Sequence, residues 1–397
     1  MKGFTRREFI RNAGLSLMSI GAIGDLKNGK NISSTQFTGR ANMSNNPTAV
    51  NKIVVMSDLH FGDEYCFINK GEKNNIQKLI GKIKNHNPDE LILLGDVFDF
   101  SLGSLYLTFD NAKGFFEELK KLHGLKVTYI PGNHDHHIWS RIIETEYFIG
   151  PLEQGKVPEE KDIDIYMKNA VTTIPKRAPF LNMFYPGLDV VYPHIIRTCG
   201  NATYYFTHGH LQDNVFTPGN NLLTPKNLAE LEAFNSCWIE GVWFYMGQAG
   251  RLSEKIRETY LQTEISWLGY IGAFSLGAKS FINGIWEALR GKVSVLKEKE
   301  EKPLTVRAVT PAYIEDHLNL LIKDGIIEEK QFPITFVYGH THKKEENIPG
   351  KVKISNHDYG YVKWNTGTWI LKNEAEKDNN GFIVIDDKKT QWVPFWE

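Results

Sequence analysis

Lys52-Ile53-Val54-Val55-Met56-Ser57-Asp58-Leu59-His60 decides how the rest of the chain is read. Four consecutive apolar residues, too few for a helix, predict a strand buried on both faces, and the chain then turns abruptly polar with a hydroxyl, a carboxylate and an imidazole. The same grammar recurs downstream. Leu91-Ile92-Leu93-Leu94 runs into Gly95-Asp96-Val97-Phe98-Asp99, and Val127 to Ile130 into Gly132-Asn133-His134-Asp135. Thr203 to Phe206 runs into Thr207-His208-Gly209-His210, and Ile334 to Tyr338 into Gly339-His340-Thr341-His342. Between the first of these strands lie helical patterns. One has Asn74 or Asn75 as cap and Ile76, Leu79, Ile80 and Ile83 along one face; the other covers Phe115 to Leu122. Asp189 to Tyr192 reads as a further strand and Glu153 to Asp164 as a surface excursion. Strand, helix, strand, helix, strand predicts a layered α/β domain with a largely buried sheet.

In such a sheet, residues at the carboxyl ends of parallel strands meet in one crevice however far apart they lie in sequence. The five clusters contribute carboxylates, imidazoles and one amide oxygen, hard or borderline metal donors with no thiolate among them. A pair of divalent cations about 3.5 to 4 Å apart, sharing one carboxylate, calls for such a set. Each cluster alone is unremarkable: Asp-x-His is commonly a capped loop, and Gly-Asn-His-Asp a polar turn. Their recurrence behind strands carries the meaning.

The five clusters together resemble the calcineurin-like metallophosphoesterase superfamily, block by block from Asp58 to His342. The resemblance implies a β-sandwich flanked by helices, αββα, and hydrolysis of a phosphomonoester, phosphodiester or pyrophosphate by in-line attack of a hydroxide held between two metals. It implies Asp58, His60 and His342 around one metal, Asp96 bridging, and Asn133, His208 and His340 completing the second site. It implies His134 as the catalytic histidine near the leaving group, with Asp99 orienting it. Asp135 closes the third motif with a role left open. The departure is His210, where several relatives carry Asp; it reads as a turn residue rather than a substrate contact. Manganese, iron and zinc fit these donors best, with magnesium possible. A binding scaffold without catalysis on the same fold is the alternative, and the presence of His134 and Asp99 speaks against it.

Other histidines read as structural. His136 and His137 are expected at a solvent-exposed helix start, and His194 and His357 as satisfied structural residues. Asn365-Thr366-Gly367-Thr368-Trp369 is read as closing the sheet. Cys66, Cys199 and Cys237, odd in number and widely spaced, read as packing residues rather than a disulfide framework. With 46 basic and 47 acidic residues among 397, the chain lacks the basic excess of a dedicated nucleic-acid binder.

Residues 51–214 and 333–397 are assigned to the catalytic domain, and 215–332 to an inserted helical cap. Leu228 to Phe234, Trp238 to Tyr245 and Leu252 to Leu261 have helical spacing, and the insertion is dense in aromatics. These either fill the core of the cap or, notably over Trp267 to Ala278, form an apolar surface for acyl chains, allowing peripheral membrane or lipid contact. Gly-Asp-Val-Phe-Asp, the His-Gly pair and Gly-His-Thr-His resemble the UDP-2,3-diacylglucosamine hydrolase branch, although this insertion is much longer. At the N-terminus, Thr5-Arg6-Arg7-Glu8-Phe9-Ile10-Arg11 precedes the weakly apolar Ala13 to Ile23 and resembles a twin-arginine export signal. Residues 1–24 are therefore expected to be a signal for export to the periplasm or cell envelope, and 25–50 a linker.

Overall fold

The computed structural model describes residues 47–101, 103–159, 165, 170–212, 227–245, 248, 311–354 and 356–397. The expected export signal, Leu252 to Leu261 and Trp267 to Ala278 lie outside the described residues.

The first strand run is β2, Lys52–Met56. Its alternate side chains enter two different cores, which explains why the run is apolar throughout. Ile53 and Val55 point between two sheets, and Val54 and Met56 under helices. Each such fully buried aliphatic side chain stabilises the fold by about 1.5 to 3 kcal/mol. β2 pairs in parallel with β3 (Glu90–Leu93), and β3 with β4 (Lys126–Tyr129). β4 pairs in parallel with β6 (Asp189–Tyr192), whose far side carries β5 (Thr172–Arg177) antiparallel. On the other edge β12 (Gly381–Asp386) and β13 (Thr390–Pro394) complete a seven-stranded sheet of order β13-β12-β2-β3-β4-β6-β5.

The second sheet has six strands. β7 (His194–Cys199) and β8 (Ala202–Thr207) form a hairpin, and β8, β9 (Ile334–Tyr338) and β11 (His357–Asn365) run parallel. β10 (Glu345–Ile354) closes one edge. The opposite edge is β1, Thr48–Ala49, paired with β7. These two residues were expected in a linker; a two-residue strand is too short to leave a periodic trace. Ile53, Ile92, Val191, Phe206, Val337 and Ile383 lie among the residues that fill the space between the sheets.

Helices cover both outer faces. α1 (Lys73–His86) buries Ile76, Leu79, Ile80 and Ile83 as the spacing predicts. Its N-cap is Glu72, without a side-chain cap bond, because Asn75 Nδ2 instead donates to Phe67 O at 2.8 Å. α2 spans Leu105–Leu119, starting ten residues before the expected Phe115, with the Ser104 hydroxyl accepting from Leu107 N. Its first turn shows Leu105, Tyr106 and Leu107 to solvent, so the one-faced pattern does not reach back to the true start. α3 (His137–Glu144) begins directly behind the third motif.

Over the second sheet lie α4 (Leu228–Trp238), continued by wider π-type turns through Ile239–Phe244, and α5 (Pro311–Lys323). Their Leu228, Leu231, Ile314, Leu318 and Leu321 pack with Tyr205, Phe336 and Tyr338 of the sheet. The described parts of the expected cap thus supply the fourth layer of the αββα sandwich. No helix among the described residues is long and apolar enough to cross a membrane. Cys66 and Cys199 are buried free thiols, as expected, and burial pushes both thiols up.

Candidate metal centre

β2, β3 and β4 of one sheet and β8 and β9 of the other end on the same side, and the five polar clusters meet there. The chain turns sharply as each strand ends. Asp58 (φ 53°), His60 (φ 49°), Asp96 (φ 50°), His340 (φ 67°) and His342 (φ 58°) all adopt left-handed backbone. That conformation costs an ordinary residue about 1 to 3 kcal/mol and persists where surrounding structure enforces it, commonly at functional sites. Three other described non-glycine residues share it, Asn87, Asn347 and Asn356, and all are asparagine, the residue that tolerates it best. Two glycines give the side chains room. A Cβ on Gly95 (φ 87°) would collide with the His208 ring, and one on Gly132 with the Asp96 carboxylate.

Three groups of donors each bring one atom apiece within 4.8 Å of one another: Asp58, His60 and His342; His60, Asp96 and His134; Asp96, His208 and His340. Around Asp58, His342 Nε2 stands 3.2 Å and His60 Nε2 3.7 Å from Oδ1. His208 Nε2 stands 3.1 Å from Asp96 Oδ2, and His60 Nε2 3.8 Å from the same oxygen. Asn133 accepts from His340 Nδ1 at its Oδ1, 3.0 Å away. His208 Nδ1 donates to Leu94 O at 2.9 Å, which fixes its tautomer and turns Nε2 inward. Asp58 Oδ1 and His208 Nε2 are fully buried yet make no hydrogen bond. Buried polar atoms are rarely left so, and two converging on neighbouring donors fit coordination of a cation. The residues present therefore suit two divalent cations with Asp96 between them.

Electrostatics agree. Burial pulls the Asp58 carboxyl upward, but His342 and His60 hold it well below the usual range. Burial opposes ionisation of Asp96 too, and His208, His134 and His60 lower it. Both oxygens are held in the anionic form that binds metal.

His134 lies at the rim of the centre. Its Nδ1 donates to Asp99 Oδ1 at 3.0 Å and lies 2.6 Å from Ser101 Oγ, which itself donates to the same Asp99 oxygen at 2.8 Å. Asp99 Oδ2 accepts from His60 Nδ1 at 2.8 Å, so one buried carboxylate orients both the expected catalytic histidine and an expected ligand. Burial depresses the charge of His134, and Asp99 and Asp96 more than restore it, raising its pKa.

Asp135 gains a definite role. Its carboxylate accepts from the backbone N–H of Gly132 (2.6 Å), Val97 (2.7 Å), Phe98 (3.2 Å) and Asp96 (3.3 Å), tying the second motif to the third. Asn365 to Trp369 do the same for the first motif. Thr366 Oγ1 meets Ser57 Oγ, Asn365 Nδ2 donates to Gly339 O at 2.8 Å, and Trp369 N donates to Asp58 O at 3.0 Å. His210 is buried in a one-turn 3-10 helix, His210–Gln212, with Nε2 donating to Tyr192 OH at 2.9 Å; this turn placement matches the expectation.

Two expectations are corrected. His136 starts a helix but is fully buried, because Glu232 and Glu240 of the α4 run take both its ring nitrogens, at 2.7 and 2.6 Å. Burial alone depresses its charge, but these carboxylates raise its pKa to about 10 and keep it an imidazolium. His194 is buried but not satisfied: neither ring nitrogen has a hydrogen bond, and the ring stacks on Tyr205. Ser101, Glu232 and Glu240 escaped the sequence reading altogether. The single trace was a pair of glutamates eight residues apart on a helical stretch, and that spacing is commonplace.

The family model for calcineurin-like phosphoesterases matches residues 51–344, and the chain belongs to that family. A probable cyclic nucleotide phosphodiesterase of Coxiella burnetii is 32% identical over 102 residues, 25% of this chain. The matched region spans only 38% of that relative's length. Among solved structures, a dimetal phosphatase from Danio rerio covers 88% of this chain and 98% of its own at 11% identity and a TM-score of 0.35. A phosphoesterase from Escherichia coli covers 87% and 93% at 12% identity and a TM-score of 0.32.

Proposed function

We propose that the chain is a binuclear metal-dependent phosphoesterase. Asp58, His60 and His342 would hold one divalent cation, Asn133, His208 and His340 the other, and Asp96 both. The observation that carries this reading is that the three donor groups interlock: Asp58, His60 and His342 share His60 with the group of His60, Asp96 and His134, and that group shares Asp96 with the buried group of Asp96, His208 and His340. When bound, the two cations supply Lewis acidity and neutralise the phosphoryl charge that repels a nucleophile.

The chain's own residues do the rest. Asp96 and Asp58 remain anionic because histidines surround them. Asp99 and Ser101 tie Nδ1 of His134, so that stabilising the departing oxygen or giving it a proton falls to Nε2. His134 N donates to Asp96 Oδ1 at 2.8 Å, which registers the leaving-group side to the metal side. Nitrogen-rich donors favour manganese, iron or zinc over magnesium. The Coxiella relative's description makes phosphodiesters, cyclic nucleotides among them, the first substrates to assay, ahead of monoesters and lipid-linked pyrophosphates. Export to the cell envelope, which rests on the Arg6-Arg7 segment, belongs to the same proposal.

Purified protein loaded with Mn²⁺ is assayed on mono- and bis(4-nitrophenyl) phosphate and on a pyrophosphate panel. Turnover of one class that disappears in Asp96→Asn supports the reading. Silence on all of them would instead favour a metal-holding scaffold.

A further inference from the structure

Beyond the metal centre, the described end of the α4 run grips the two loops that carry the leaving-group residues. Glu240 reaches the third-motif helix at three points: Oε1 accepts from His136 Nδ1 at 2.6 Å and from Ser140 Oγ at 2.8 Å, and Oε2 accepts from His137 Nδ1 at 2.6 Å. One turn on, Phe244 stacks on the His137 ring at 3.5 Å and meets Phe100 edge to face at 6.1 Å. Gln248 finishes the grip on the second-motif loop. Its Nε2 donates to Phe100 O at 2.8 Å, and its Oε1 accepts from Leu105 N at 3.2 Å. Phe100 sits between Asp99 and Ser101, and His136 two residues after His134. One segment therefore ties the loop bearing Asp99 and Ser101 to the helix bearing His134.

We propose that Glu240 and Gln248 are positioning residues, clasping the two loops so that Asp99 and Ser101 hold His134 in register for departure of the leaving group. The proposal rests on the leaving-group role given to His134 above. The described start of the inserted segment is then part of the catalytic apparatus, acting on turnover rather than on the choice of substrate. Glu240 bonds to His136, His137 and Ser140, and Gln248 to the backbone of Phe100, Gly103 and Leu105, none of them a candidate metal donor. Mn²⁺ is kept saturating so that any slackening of Asp99 on His60 does not empty the site. A small displacement of an acid catalyst costs rate steeply, and it costs most where the leaving oxygen is most basic and needs the most help.

The experiment compares full-length wild type, Glu240→Gln, Gln248→Ala and His134→Ala, loaded with Mn²⁺. Each is assayed on a 4-nitrophenyl phosphoester that the wild type hydrolyses and on its phenyl counterpart, with bound metal counted. Both clasp variants are expected to lose about tenfold or more in kcat on the phenyl ester and about twofold or less on the nitrophenyl ester. KM and metal content stay at wild-type values, and His134→Ala shows the same pattern more deeply. Gln248→Ala removes only side-chain hydrogen bonds to backbone, those with Phe100 O, Gly103 O and Leu105 N, and decides the matter if Glu240→Gln does not fold. Equal losses on the two esters, or losses that track KM or metal, overturn the clasp. Discrimination by His134→Ala without discrimination by Gln248→Ala overturns the clasp and leaves the phosphoesterase reading standing. No discrimination by His134→Ala removes the role of His134 and the clasp with it.

Discussion

Asp99 holds His60 by the oxygen that His134 does not use: Oδ2 accepts from His60 Nδ1 at 2.8 Å, while Oδ1 faces His134 Nδ1 at 3.0 Å. A residue expected only to orient the catalytic histidine also orients an expected metal ligand. The two oxygens of one carboxylate thereby fix the relative placement of metal and acid. Its carboxyl is held well below the usual range because His134 and His60 outweigh its burial.

This double duty separates two variants. His134→Ala is expected to keep both metals and lose about 100- to 10,000-fold in turnover. Asp99→Asn should lose turnover and also weaken the metal held by His60 about 10- to 100-fold, since partners behind a ligand set its orientation and basicity. Metal titration followed by kcat at saturating metal checks both, and an Asp99→Asn with wild-type metal affinity would restrict Asp99 to His134.

Asp96 stands in two of the three donor groups, so Asp96→Asn is expected to remove metal and activity together. Replacing its anionic oxygen by an amide also leaves His208 Nε2 facing a nitrogen or a neutral oxygen where it now faces a charge, 3.1 Å away. Metal content by atomic emission should fall in step with turnover on the nitrophenyl esters, whereas full metal content with lost turnover would speak for a purely chemical role.

Asp135 makes no contact with the reacting centre in this reading, yet its four backbone acceptor bonds hold the second and third motifs together. In Asp135→Asn, an NH₂ group must face backbone N–H donors in a buried site. A loss of about 1 to 3 kcal/mol in unfolding free energy is expected, with weakened metal binding as a secondary consequence. Denaturant unfolding with metal saturating measures the first term directly.

How much of this was legible in the sequence follows from the physics of each signal. Strand ends were legible because a run such as Ile53 to Met56 is apolar on both faces and stops at a polar residue. The convergence of the eight expected site residues was legible because five of the strands stop on clusters of carboxylates, imidazoles and an amide. The start of α2 was not, since Tyr106 and its neighbours face solvent and break the pattern. His136 was misread as exposed because its carboxylate partners lie 96 and 104 residues away, and a buried charge is recognised only through its partner. Ser101 gave no signal at all, because a serine after an aromatic residue is common in any loop.

His194 and His317 make the fold's response to acid predictable. Both are fully buried, both neighbour Tyr205, and burial drives each pKa from 6.5 to about 3, with His194 contributing to the depression at His317. The folded chain thus keeps both rings neutral where the unfolded chain protonates them. Above about pH 6.5 neither state carries the proton and the pair has no effect on stability through linkage. As the pH falls from there toward 3, the unfolded state gains protons and stability is lost, about 3 kcal/mol per ring by pH 4.5. His194→Phe, close in shape and able to stack on Tyr205, removes one titrating group and two buried nitrogens that have no hydrogen bond. It is expected to be at least as stable as wild type at neutral pH and to gain about 3 kcal/mol on it by pH 4.5. Acid unfolding followed by circular dichroism between pH 7 and 3 measures the difference. Both proteins lose metal alike on acidification, so that contribution cancels, and superimposable acid transitions would assign the sensitivity to other groups.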